Sequence, residues 1–374
     1  MTATTPGREG RATQSGTLPA QRAGRWLALL SLAIGLGGCT SVGYYGQMVQ
    51  GQWALIRDRE PIATVVADPA RPASLHERLA AAAAARRFAS AELALPDNAS
   101  YRSFVELKRP FVLWNVFATA EFSTRPTTHC FPIAGCVAYR GYYQEAAARA
   151  AAQALQRQGQ DTYVGGVPAY STLGWFSDPL LSSMLRWDDD QVAATIFHEL
   201  AHQRFYLPGD TAFNESYATF VEGEGLRQWR ASRGLPPPDA GREARYQQFR
   251  ALLLTTREDL ARLYVRPLTP TAKRAAKARR FAQLRADYQR LRATPAWRDE
   301  RRFDGWMSQP LNNARLVPYG LYEQWVPAFA ALYAQHPGNW PAFFHRVRLL
   351  GERPAAEREQ ALKALLGQMT TPQP

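Results

Sequence analysis

The chain has 374 residues, 46% of them hydrophobic and 11% aromatic, with a formal net charge of +13. That length and apolar content exclude disorder beyond the ends and allow one large domain or two modest ones with a real core. The basic excess names no partner by itself: no nucleic-acid-binding module accompanies it, so nucleic acid is not an expected ligand.

The N-terminus reads as an address. Residues 1–25 are polar and carry Arg8, Arg11, Arg22 and Arg25; an apolar run from Trp26 to Leu36 follows, then Gly37-Gly38-Cys39. A basic flank, a short apolar stretch and small residues at the cut form a secretory signal, and the run is short for a membrane span. The cysteine after Leu36-Gly-Gly resembles the lipobox of bacterial lipoproteins, which implies cleavage after residue 38 and acylation of Cys39. Thr40 follows, not the aspartate that marks inner-membrane retention in that family, so the expected location is the cell envelope, lipid-anchored at the periplasmic face of the outer membrane. An uncleaved anchor is the alternative, and under either reading the body lies outside the cytoplasm. Cys130 and Cys136 suit that compartment as a disulfide closing a small loop. A zinc site built from them and His129 would need a fourth ligand that the sequence does not offer.

Along the body, residues 44–57 read as a short amphipathic helix, and Ser74 with Glu77 as a capping box opening an alanine-rich helix to about Leu93. Phe111–Phe117 and Val137–Tyr143 read as strands joined through the Cys130–Cys136 loop, followed by a helix over 144–157. Tyr163–Tyr170 reads as a strand placed at a sheet edge by Pro168, where an extended substrate could pair with it. Helices are expected over 189–205 and 212–232, then 240–265 and 271–292, with shorter ones from 318 onward. The basic helix 271–292 keeps an apolar stripe of Leu284, Tyr288 and Leu291 and is expected to pack on its neighbour.

His198-Glu199-Leu200-Ala201-His202 is an H-E-x-x-H sequence. Residues four apart lie on one helix face, so both imidazoles can reach one ion, while Glu199 projects beside them toward a metal-bound water. Zinc lowers the pKa of such a water to about 7, and the glutamate takes its proton and returns it to the leaving amine. Catalytic zinc sites use three protein ligands and keep one position open. The acids nearby are Asp210, Glu215, Glu222 and Glu224. Pro208 and Gly209 allow a turn that folds the Glu215 helix back on the first, and Glu222, two turns further along the same face, can hold a ligand histidine by its ring N–H. Tyr288, Asn313, Tyr319 and Tyr322 are the candidate oxyanion donors from the helical half.

The pair His198–Gln203 and Asn214–Glu222 resembles the gluzincin aminopeptidases, whose Asn-Glu-x-x-Ala glutamate is the third zinc ligand; the resemblance implies that role for Glu215. The mature chain also resembles a family of predicted bacterial zinc aminopeptidases, through Cys130–Cys136, Gly165–Pro168 with Leu173–Phe176, the zinc motif and Leu311–Leu316. The His202-to-Glu215 gap is shorter than in the gluzincin enzymes, their Gly-x-Met-Glu-Asn element is absent, and Arg204 stands where their motif favours an apolar residue.

The expected architecture is α+β and zincin-like. A mixed lobe (39–235) carries the H-E-x-x-H helix, and a mostly helical region (236–374) walls the cleft. The expected function is Zn2+-dependent hydrolysis of a peptide substrate, as an aminopeptidase. The competing reading is a lipid-anchored envelope binding or assembly factor with a vestigial metal site.

Overall fold

The computed structural model describes Thr2 and residues 43–131, 135–169, 171–321 and 324–370. The rest of the signal segment, Cys39 and Tyr322 lie outside the described residues. Met1–Gln50 and Gly51–Pro374 form separate compact units, and every element from the first strand onward belongs to the second. No helix among the described residues is long and apolar enough to cross a membrane.

The fold is mixed α+β, with small sheets set among many helices. Helix α1 (residues 43–57) leads into β1 (Glu60–Pro61), α2 (Ile62–Ala67) and α3 (Ala73–Ala91). The expected Ser74 capping box does not form: α3 starts one residue earlier, after Pro72 at φ −58° and ψ 137°, with no side-chain cap. Proline already holds the extended backbone that a cap residue needs, so the hydroxyl is not required there.

A three-stranded antiparallel sheet has the order β6-β3-β7, from β3 (Leu113–Ala120), β6 (Tyr139–Tyr142) and β7 (Gln160–Val167). Between β3 and β6 the chain makes a separate hairpin, β4 (His129–Phe131) with β5 (Gly135–Val137), in which Cys130 and Cys136 face each other and are bonded. The cysteine loop is thus an excursion with its own two strands, not a plain turn between the longer ones. The amphipathic helix α4 (Glu145–Arg157) buries Ala148 and Ala152 against Trp114 and Val116 of β3, because alanines there let helix and strand approach closely. β7 is at the sheet edge by strand order, and Pro168 lies just beyond its last residue, so the proline ends the strand and is not part of it. A second small sheet pairs β1 with β2 (Ser103–Val105) and β2 in parallel with β8 (Leu180–Leu181).

Two helices then run α5 (Asp189–Arg204) and α6 (Thr211–Ser232). Asp188 caps α5 by accepting from the Gln191 N–H at 2.8 Å, and Asp189 and Asp190 fill its first turn, where acids favour the helix dipole. One face of α5 buries Val192, Ile196, Phe197, Leu200 and Ala201, each apolar side chain contributing on the order of 1–3 kcal/mol. Gly225 permits the close approach of α6: a Cβ there would stand 2.8 Å from Leu93 and 3.0 Å from Phe197. The turn between the helices is clamped by the buried Asn214, whose amide oxygen accepts from Leu207 N–H at 2.8 Å and whose amide nitrogen donates to the Leu207 carbonyl at 2.7 Å. Asp210 caps α6 and receives Arg358 at 2.9 Å.

The remainder is helical: α7 (Ala240–Tyr264), α8 (Pro270–Arg292), α9 (Asp304–Ser308), α10 (Asn313–Leu321), α11 (Val326–Ala334), α12 (Trp340–Gly351) and α13 (Ala355–Thr370), the last supplying Arg358. The basic helix α8 packs through Phe281, Leu284 and Tyr288 into a core shared with α7 and α10, while Lys277 pairs with Asp161 at 2.6 Å and Arg274 with Glu121 at 2.6 Å. Part of its charge is thus paired with other elements of the fold.

Glu300, 8% exposed, joins Arg302 at 2.6 Å and Arg245 at 3.2 Å in this half. The bonds from Arg302 outweigh the opposing effect of burial and hold the carboxyl at about 2, against 4.5 ordinarily. A carboxyl depressed in the folded state stabilises it above its unfolded pKa, and that contribution fades as pH falls from about 4.5 to about 2. Glu300→Gln is therefore expected to cost about 3 kcal/mol at pH 7 and almost nothing at pH 2. Urea unfolding across that range checks it, and an equal loss at both ends would assign the effect to packing.

Candidate metal centre

Helix α5 delivers both histidines to one place. The His198 and His202 Nε2 atoms are 3.2 Å apart. Glu215, in the second turn of α6, brings one carboxylate oxygen to 3.5 Å from His198 Nε2 and the other to 3.7 Å from His202 Nε2. Among the described residues these three form the one group of His, Cys, Asp and Glu side chains whose ligand atoms converge, all within 4.8 Å of one another. Glu222 Oε2 lies 3.0 Å from His198 Nδ1, so in the neutral ring Nδ1–H donates to the carboxylate and the Nε2 lone pair faces His202.

The donor set fits a small divalent cation. Ligands at about 2.0–2.1 Å from a tetrahedral zinc stand about 3.3 Å from each other, close to the spacing found here. Two imidazole nitrogens facing one another with a carboxylate alongside make a poor hydrogen-bonding group but a good chelate. His202 Nδ1 is buried without a hydrogen-bond partner, so the polar contacts of this ring all run through Nε2, toward His198 and Glu215. The neighbouring carboxylates favour positive charge at this spot, and burial opposes it. Burial opposes charge on His198, yet its bonds to Glu215 and Glu222 outweigh that and hold it well above the ordinary imidazole range. Burial takes His202 down to about 4, against the pull of Glu215. Glu215 stays below the ordinary carboxyl range, because His202 and His198 overcome its burial.

Glu199 is pushed up to about 7, by burial first and by Glu215 and other acids nearby, with His198 opposing. It lines an open pocket of about 210 Å3 with His198, Glu222, Thr195, Trp187, Pro168 and Ala169. Thr195 is one turn before Glu199 on the same helix face, and Pro168 follows β7, so the edge strand ends at this pocket.

The other acids weighed from sequence have different partners. Asp210 is the α6 cap, and Glu224 is held by Arg227 at 2.6 Å and by Gln228 at 2.7 Å. Among the expected oxyanion donors, Tyr288 bonds Asp304 at 2.5 Å, Asn313 is used by Tyr264 and the Glu121 carbonyl, and Tyr319 packs against Phe249 and Trp306. These three have their partners elsewhere, and Tyr322 lies outside the described residues. The structure places Tyr206 beside the histidines, its ring edge-on to His202 at 6.2 Å. The sequence signal was present: Tyr206 follows His202 by the same four residues that separate the histidines, although α5 ends at Arg204. Arg204 itself lies over the Phe344 ring at 5.4 Å, so its long side chain occupies a position that an apolar residue would otherwise fill.

Two loops are tied to α5 beside the histidines. Gln203 receives the Asn98 amide at 2.8 Å and donates to Ser100 Oγ at 3.2 Å and Asp178 at 3.3 Å. The buried Arg86 fixes the first loop through the carbonyls of Pro96, Asn98 and Ser100. Asp178 fixes the second by accepting from Thr172 and Ser171, and there Leu173 and Gly174 turn back with positive φ, Gly174 against Gln203.

Residues 43–362 match the family model described as "Putative aminopeptidase". The chain belongs to that family. Among curated proteins and among solved structures, none matches it. Family membership supports a peptidase-like function, and the metal-capable group lies inside the matched region.

If Glu222 orients His198, Glu222→Gln should weaken metal affinity about 10- to 100-fold without abolishing it. Competition against a chromogenic chelator measures this, and unchanged affinity would leave Glu222 with no part in holding the ring.

Proposed function

We propose that this member of the aminopeptidase family is a zinc-dependent peptidase of zincin-like architecture, with His198, His202 and Glu215 as the metal ligands and Glu199 as general base and acid. The convergence of His198, His202 and Glu215 on one point carries the reading, with Glu199 on the same helix and outside the ligand group. Zinc held there would supply a Lewis acid for a peptide carbonyl and for water. The chain's own residues do the rest. Glu199 takes a proton from the attacking water and delivers it to the leaving amine, a role suited to a carboxyl poised near neutrality. Glu222 keeps His198 in the tautomer that offers Nε2. Tyr206 stands on the His202 side, where a hydroxyl can donate to a developing oxyanion.

Aminopeptidase action is the favoured form because of the family, and the small pocket bounded by Glu199, Glu222, Trp187 and Pro168 suits a short N-terminal side chain. The cell envelope, with Cys39 acylated, is the proposed location, and the excursion closed by Cys130–Cys136 suits an oxidising compartment.

The test couples metal analysis of the purified protein with turnover of free and N-acetylated peptides. One zinc per chain and preference for free peptides are expected. Equal turnover of both kinds would leave a peptidase but remove aminopeptidase action. Bound zinc with no turnover would favour the binding or assembly factor.

A further inference from the structure

Arg315 is a buried cation with no acidic partner among the described residues. It is 8% exposed, and its guanidinium lies between two rings, 5.0 Å from Tyr163 and 4.6 Å from Trp306. One Nη donates to the Trp306 carbonyl at 2.9 Å, while Nε is buried with no hydrogen-bond partner. The ionisable groups acting on it are Tyr163, Tyr319 and Arg285, and no carboxylate is among them. The acids nearby in the fold are committed elsewhere: Asp161 to Lys277 at 2.6 Å and Glu145 to Arg149 at 2.5 Å. A guanidinium removed from water normally keeps a counter-charge, and ring stacking compensates only part of the loss.

Arg315 lines an open cavity of about 520 Å3 at the outer edge of β7, between α4 and the segment leading into α10. The cavity wall is polar: α4 supplies Arg149, which also holds Glu145, together with Gln153 and with Gln156, which donates to Thr162; Asn312 and Arg315 come from the opposite side, with Tyr163 between them. The Leu311–Leu316 segment builds this wall. Asn312 donates to the Thr162 carbonyl at 2.8 Å and accepts from the Arg315 N–H at 3.1 Å, so one asparagine docks the segment on β7 and starts the helix turn carrying Arg315.

We propose that this cavity is an oxyanion-binding site, for a carboxylate or phosphate group, with Arg315 as its buried anchor and Arg149, shared with Glu145, at its outer rim. An anion entering it would give the Arg315 guanidinium the counter-charge that the fold withholds and give Nε an acceptor. The planar fork between two rings fixes the direction from which a two-oxygen group is met. The proposal stands apart from the metal centre, which draws on α5 and α6.

The test is calorimetric titration of the full chain with inorganic phosphate, with N-acetylalanine and with its neutral amide. Saturable binding of either anion but not of the amide is expected. Phosphate alone would assign a phosphate ligand, and N-acetylalanine a carboxylate such as a peptide terminus. Arg315→Lys keeps the charge but loses Nε and the fork, and should raise Kd about tenfold or more, while Arg149→Ala at the exposed rim should raise it about threefold. Near-ultraviolet circular dichroism shows whether Arg315→Lys retains the native packing; if it does not, Arg149→Ala decides. No saturable binding of either anion at millimolar concentration overturns the proposal, and so does an unchanged Kd in both variants, which would place the anion elsewhere, including at the histidines.

Discussion

Glu199→Gln is expected to lower peptide turnover by about 10^2- to 10^4-fold while leaving zinc content unchanged. Glutamine has the shape of glutamate, so the pocket wall beside Pro168 and Trp187 should hold it without rearrangement. It lacks the basic oxygen, so the attacking water loses its proton acceptor and the leaving amine its donor. Zinc should remain because Glu199 is outside the converging group of His198, His202 and Glu215. Two measurements on one protein preparation, metal content and turnover rate, separate the outcomes. Loss of zinc would make Glu199 a ligand. Full activity would require another base, and Tyr206 and Glu222 would then be the side chains to replace next.

Removing a ligand should have the larger effect on the protein itself. With zinc at a thousandfold excess over its dissociation constant, metal binding adds about 4 kcal/mol to folding stability. His202→Ala should abolish that increment and bring bound zinc to near zero. His202 is 7% exposed, so its truncation also leaves a void. Glu215→Gln is the companion variant: it keeps the volume and removes one charged ligand. Thermal unfolding of each, with and without added zinc, gives the comparison. A zinc-dependent rise in Tm that survives Glu215→Gln undiminished would mean that the ion sits on other residues. The same result in His202→Ala would say so twice.

The grouping of His198, His202 and Glu215 was more legible in the sequence than the fold. H-E-x-x-H is a statement about one helix, and a single periodicity places His198, Glu199 and His202 relative to one another wherever that helix lies in the chain. The bounds read for α5 and α6 agree with the structure to within a residue or so, since Asp188, Asp210 and the Pro208-Gly209 turn punctuate them locally. Pairings between distant segments were less legible. The expected strands on either side of the cysteine loop do pair, β3 antiparallel with β6, but the loop between them adds a hairpin of its own, which no local pattern announces. The Ser74 cap failed for a local reason, Pro72 having already set the backbone. Asn214 carried a signal by resemblance alone, and its amide locks the Leu207 backbone in both directions only once the turn is folded. Arg315 and Tyr163 are far apart in the sequence and meet only because α10 docks on β7. No pattern within either segment announces that meeting.

The histidines, Glu199, Glu215 and Glu222 all belong to one helical hairpin, α5 and α6, with a short turn between them. Contacts of such low sequence separation form early, before the slower pairing of remote strands and the docking of the C-terminal helices. A nascent or partly refolded chain would therefore present the chelating pair ahead of the finished cleft. Under the proposed function, metal capture and completion of the cleft would then be separable events, ordered by the chain's connectivity.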